Sequence, residues 1–177
     1  EFVESGVPIL MAVNLKDGVV DCVNCNFITR TQADSLRKGF AKDGDILISH
    51  KGTIGRVAEL ETDLDYVMLT PQITYYRVVD QSKILPRYLY TYFQSPEFVE
   101  QMTSIAGIGS TRAYIGITKQ LELTFRYPSI EEQKTIIQRF DSLSENVNQI
   151  EQTYQQELNS YDELKKSILQ EAFSGQI

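Results

Sequence analysis

Residues 128–177 read PSIEEQKTIIQRFDSLSENVNQIEQTYQQELNSYDELKKSILQEAFSGQI, and their spacing sets the architecture of the chain. Ser129 and Glu132 form a capping box, the signature of a helix start, and no glycine or proline follows until Gly175. From there the apolar residues step by four and three: Ile136, Phe140, Leu143, Val147, Ile150, Tyr154, then Tyr161, Leu164 and Ile168. Of the ten positions in this repeat from 136 to 168, nine are apolar and the exception is Glu157. That repeat describes a coiled-coil seam and not the broader stripe of a globular helix. A helix from 130 to 172 would be roughly 60 Å long, more than a small domain can cover. The seam therefore needs a second helix, and the expectation is a homodimer through those nine residues.

Working outward, the 177 residues are 42% hydrophobic and 23% charged, enough to bury a core without disulfides or metal. The class expected is α+β: a mixed α/β domain over 1–127, then the long C-terminal helix over 128–177. The net charge of −7 is uneven, with 15 acidic against 13 basic residues over 1–127 and nine against four beyond. The first segment is nearly balanced, so a basic surface patch that binds DNA is compatible with an acidic chain. No run of about 18 apolar residues marks a membrane span. Cys22 and Cys25 make a lone C-x-x-C; zinc needs four ligands and the only histidine is His50, so both thiols read as reduced and incidental.

Within 1–127 the pattern predicts strands at 8–13 and 19–23 joined by an Asp17-Gly18 turn. A helix capped by Thr31 runs TQADSLRK to Gly39. Strands follow at 45–49 and, after the glycine-bearing loop HKGTIG, over RVAEL; then 66–69 and 72–79, the last with Ile73, Tyr75, Arg77 and Val79 on one face. Two helices follow at 86–93 and 96–103, the second capped by Ser95, with Tyr88, Tyr92 and Phe93 read as core. The irregular stretch AGIGSTRAYIG, 106–116, carries three glycines and Arg112, and a loop of that length in a compact domain is a functional candidate. Residues 121–127 read as a closing strand.

The chemistry of an enzyme is missing from the pattern. KGTIG lacks the Lys-Ser/Thr of a phosphate loop, there is no dinucleotide fingerprint, and there is no H-x-E with P-C-x-x-C. His50 has no nucleophile that the sequence nominates and reads as a surface hydrogen-bonding residue. Glu163-Leu164-Lys165 has the letters of a nuclease motif but lies on the coiled-coil helix.

Several segments in order form a family pattern: GDILISHKGTIGRVAEL at 44–60, P-x-Y-L-Y at 86–90 with Ser95, GST at 109–111, P-x-x-E-E-Q at 128–133, and L-x-x-S-I-L-x-x-A-F-x-G at 164–175. They resemble the DNA specificity (S) subunit of Type I restriction-modification systems. The resemblance implies a target-recognition domain followed by a conserved helix, a unit that a complete S subunit contains twice. This chain holds it once, as a half-subunit or a fragment. The implied function is non-catalytic: to bring methyltransferase (M) and restriction (R) subunits to a bipartite site on double-stranded DNA in the prokaryotic cytoplasm. S-adenosylmethionine, ATP and magnesium would then serve only the partner subunits. The polar outer residues Gln138, Asn148, Gln152, Gln155 and Asn159 would offer the M subunit a platform.

For contact with DNA two loops stand out. His50, Lys51 and Thr53 occupy the strand-joining loop; Ser110, Thr111 and Arg112 occupy the glycine-rich one. Arginine suits the bidentate edge of guanine, and lysine and hydroxyls suit phosphate. The competing reading is a coiled-coil scaffold with a passive α/β head. The two differ in whether basic side chains gather in loops on one face of the head.

Overall fold

The computed structural model describes residues 1–16, 18–106 and 114–174. Short strands dominate the first part: β1 (Val7–Leu10), β2 (Leu15–Lys16), β3 (Val19–Val20), β4 (Asn26–Ile28), β5 (Phe40–Ala41), β6 (Ile46–Ser49), β7 (Val57–Glu59), β8 (Val67–Leu69) and β9 (Ile73–Tyr76). They form two sheets, ordered β4-β1-β8-β5 and β2-β3-β7-β6-β9. In the first, β1 is parallel to β8 and the other pairings are antiparallel. In the second, β6 lies antiparallel between β7 and β9, with Leu47 opposite Ala58 and Tyr75.

Alternation explains how the sheets pack. Leu10, Ala41, Val67 and Leu69 of the first sheet meet Leu15, Leu47, Ala58 and Ile73 of the second in one buried cluster. Met68, on the opposite face of β8, packs with Val7, Ile28, Tyr66 and Ala33, the last from helix α1 (Arg30–Ser35). With both faces of β8 covered, its three residues are all buried. The second sheet is backed by α2 (Pro86–Phe93), which packs on β6 and β7. Next comes α3 (Pro96–Ala106), whose cap is Ser95: its hydroxyl accepts from the Phe98 amide at 3.3 Å. Phe93 stacks on Phe98 at 4.3 Å and meets Tyr76 edge-on at 4.9 Å. Tyr88, Tyr92 and Phe93 are buried, in keeping with their reading as core.

Several local expectations are corrected. The strand expected over 8–13 ends at Leu10, because buried Asn14 draws a 3-10 turn at Ala12–Asn14: its side-chain oxygen accepts from the Met11 amide, and its amide donates to the carbonyls of Asp21 and Asn24. The hairpin consequently closes β2 on β3, with Gly18 at φ +81°, while Asp17 lies outside the described residues. The expected strand 19–23 stops at Val20 because Asp21 turns the chain by accepting from the Asn24 amide. Thr29, not Thr31, caps α1, accepting from the Gln32 amide at 3.1 Å, and the helix ends at Ser35. Residues 121–127 form no strand. Their alternation packs Leu123 and Phe125 against the helices, and the Gln101 side chain substitutes for a ladder partner by bonding both the amide and the carbonyl of Thr124. The short helix α4 (Ile117–Gln120) and strands β4 and β5 had no counterpart in the sequence pattern.

The chain divides into two units, Glu1–Lys134 and Thr135–Ile177. Helix α5 (Ile130–Ser174) begins with the capping box expected: the Ser129 amide donates to Glu132 at 3.1 Å and the Glu132 amide to the Ser129 hydroxyl at 3.4 Å. Its first turn packs in the first unit through Gln133, which is fully buried. Over the second unit Leu143, Val147, Ile150, Tyr154, Tyr161, Leu164 and Ile168 are about half to two-thirds exposed. Among the described residues no helix is long and apolar enough to cross a membrane.

Candidate nucleic-acid interface

The loop between β6 and β7 is closed at its base. Ser49 donates from its amide to the Arg56 carbonyl at 2.9 Å, the Arg56 amide donates to the Ser49 hydroxyl at 3.0 Å, and the Gly55 amide donates to the Ser49 carbonyl at 2.9 Å. Gly52 and Gly55 sit at φ +82° and +84° with open space where a Cβ would stand, so torsion and not crowding requires glycine at both. A wider ring of bonds braces the base from outside. The Arg56 guanidinium donates to the Ala12 carbonyl at 3.2 Å, the Ala12 amide to the Gln72 side chain at 3.3 Å, and the His50 amide to the Gln72 carbonyl at 2.9 Å. Lys51, Gly52 and Thr53 project from this frame into solvent.

His50 is the exception to the sequence reading. It is 4% exposed, so its expected surface position is corrected. Its Nδ1 lies 3.0 Å from the Ile115 carbonyl, and its own carbonyl accepts from the Ile115 amide at 2.9 Å. Burial holds the imidazole pKa below its ordinary value. One residue along, Lys51 bridges Tyr114 in an antiparallel backbone pair, and the rings of His50 and Tyr114 are 5.8 Å apart. The structure thus brings the first candidate loop against the residues that follow the second. Ser110, Thr111 and Arg112 lie outside the described residues.

Several basic side chains of the head are paired with acids, among them Lys16, whose ammonium lies 3.3 Å from Asp21. Arg30 is paired with Asp34 and Asp65, Lys83 with Asp80, Arg87 with Glu59 and Lys119 with Glu122. Arg77 holds fully buried Asp45 through two bonds of 2.7 Å. Among the described residues no ion pair holds Lys51 or Arg56. Beside Arg56 an open polar cleft of about 500 Å³ is lined by Lys16, Gly18, Gly55 and Gln94 with Val13, Leu15 and Val57. Arg56, Gln94 and Tyr114 were not among the residues nominated from sequence. Arg56 carries a signal that points to it, an arginine directly after a loop glycine, whereas Gln94 and Tyr114 arrive only through tertiary packing.

Cys22 and Cys25 are half-buried free thiols, the second donating to the Cys22 carbonyl at 3.1 Å, and burial pushes both pKa values up. Among the described residues no three His, Cys, Asp or Glu side chains gather in a way that could hold a metal ion.

The profile of the Type I restriction modification DNA specificity domain matches residues 14–160. The chain belongs to this family. It is 26% identical over 177 residues to the Type I restriction enzyme EcoBI specificity subunit of Escherichia coli, with 99% of this chain and 36% of that subunit covered. It is 25% identical over 184 residues to the MjaVIII specificity subunit of Methanocaldococcus jannaschii, with all of this chain and 41% of that subunit covered. A solved chain, from work on complex assembly and conformational transition of the type I R-M system, superposes with a TM-score of 0.72 at 19% identity. That match covers 98% of this chain and 40% of the other, and it shows the α+β fold with its long C-terminal helix. The chain therefore spans about two-fifths of the length of the specificity subunits it matches. The family match runs through the β6–β7 loop and well into α5.

Proposed function

We propose that this chain is one target-recognition unit with its spacer helix, reading one half of a bipartite sequence on double-stranded DNA. The observation that carries the proposal is the braced β6–β7 loop, which holds Lys51 and Thr53 in solvent, with no acidic partner on Lys51 or Arg56 among the described residues. A loop already ordered pays little entropy on meeting a duplex, and a lysine at its tip suits phosphate. Arg56 extends the positive charge of the loop, Lys16 beside it being paired with Asp21, while Ser110, Thr111 and Arg112 remain the candidates for base contact from the glycine-rich loop.

In this reading the chain itself carries out no catalysis. It places M subunits, which would methylate adenine with S-adenosylmethionine, and R subunits, which would use ATP and magnesium, within the prokaryotic cytoplasm. The exposed seam of α5 supports a helix partner: a second copy packed antiparallel if the chain is a half-subunit, or the second helix of a longer subunit if it is a fragment. Two identical heads related by a two-fold would read an interrupted palindrome. Selection from a randomised duplex pool by the chain assembled with its M subunit tests the proposal. Enrichment of a two-part motif supports it, and recovery of an unenriched pool opposes it.

A further inference from the structure

Three hydrogen bonds at the base of the β6–β7 loop tie His50 to two main-chain segments, at Gln72 and Ile115, and this inference rests on the reading of the head as a DNA reader. We propose that His50 is a positioning residue for recognition: it locks the Lys51–Thr53 tip to Tyr114 and Ile115, so that the two stretches meet DNA as one surface.

A carbonyl oxygen only accepts, so the imidazole carries its proton on Nδ1 and donates it to Ile115. The Ile115 carbonyl accepts a second bond, from the Gln120 side-chain amide at 3.1 Å, and the Gln120 oxygen accepts from the Tyr76 hydroxyl at 3.1 Å. His50, Ile115 and Gln120 are all buried, so both side-chain bonds to the Ile115 carbonyl are made away from competing water. The main chain of His50 completes the lock, its amide bonded to Gln72 and its carbonyl to the Ile115 amide, both at 2.9 Å. Ile115 is thereby held on both its amide and its carbonyl by one residue, and Lys51 is the next residue in the chain. A side chain that only filled space could not set this register, because the Ile115 carbonyl has a directional requirement that a hydrocarbon does not meet.

The chemistry distinguishes two substitutions of the full chain assembled with its M subunit. Asparagine places its amide nitrogen the same number of bonds from Cβ as Nδ1, so His50→Asn retains the donor; His50→Phe retains the ring and removes it. Amide hydrogen exchange at Ile115 and binding to the selected duplex against a scrambled one are measured for each. The expected result for His50→Phe is exchange at Ile115 faster by about tenfold and a selected-to-scrambled affinity ratio lower by about tenfold, with scrambled binding unchanged. His50→Asn is expected to restore both. Wild-type protection and wild-type selectivity in His50→Phe overturn the positioning role, as does an equal loss in both variants. A wild-type assembly that selects no sequence overturns the DNA reading itself and this role with it, and that failure shows before any variant is compared.

Discussion

The side-chain amide of Gln133 donates to the main-chain carbonyl of Lys83 at 2.7 Å, across 50 residues of sequence. The same nitrogen donates to the Pro128 carbonyl at 2.9 Å, and the Gln133 oxygen accepts from the Leu85 amide at 2.9 Å. One fully buried amide thus satisfies the segment entering α2 and the segment entering α5 together. Gln133→Ala leaves those groups without their partner, at about 1–3 kcal/mol for a buried polar group left unsatisfied. Thermal unfolding of the variant is expected several degrees lower than wild type, whereas Gln138→Ala, on an exposed position of the same helix, is expected to change it little.

Removing Arg77 strands a carboxylate. Asp45 is fully buried and takes two bonds from that guanidinium and one from the Lys42 amide. Breaking a fully buried pair costs about 3–5 kcal/mol; with Arg77 itself 40% exposed, Arg77→Ala is expected to cost about 2 kcal/mol. Chemical denaturation with an unchanged slope and a lower midpoint is the expected reading.

Acid is expected to loosen the recognition corner. The folded protein holds His50 below its ordinary pKa, chiefly by burial and also through the nearby Lys51 charge, so the unfolded chain binds the proton more readily. Stability contributed by neutral His50 is complete above the unfolded value of about 6.5 and is lost as pH falls below it toward the folded pKa. Unfolding measured at pH 7.5 and pH 5.5 should show a larger loss for wild type than for His50→Asn.

The pairing of α5 is tested by charge placed in its seam. Ile150 is exposed in the single chain and sits near the middle of the repeat, where pairing would bury it for about 1.5–3 kcal/mol. Ile150→Asp is expected to shift the species seen by analytical ultracentrifugation toward monomer with helicity retained by circular dichroism. A wild-type chain monomeric at tens of micromolar contradicts pairing between copies.

The C-terminal helix, β6, β7, β8 and the two aromatic helices were legible because each writes its period into a contiguous run of residues. The Ser129–Glu132 box and the Ser95 cap are equally local, and both formed as read. Several of the failures come from a polar side chain that bonds a main-chain group and overrides the apolar pattern, whether three residues away, as at Asn14 and Asp21, or 23 away, as at Gln101. Gln101 satisfies Thr124, so the alternating run 121–127 needs no sheet. Asn14 turns the chain out of β1. The β6–β7 loop itself was visible from its glycines and lysine, but the burial of His50 was not, because it depends on Ile115, which lies 65 residues further along the chain. The adjacency of Lys51 and Tyr114 likewise has no trace in spacing.

The central claim is that the β6–β7 loop meets DNA, and titration of Lys51→Ala tests it most directly. Selected and scrambled duplexes are titrated with the M-loaded assembly at two salt concentrations, beside wild type. A lysine on phosphate predicts weaker binding to both duplexes by a similar factor, with the slope of log affinity against log salt shallower by about one unit. Affinity and slope equal to wild type on both duplexes would place this loop away from the DNA and contradict the account.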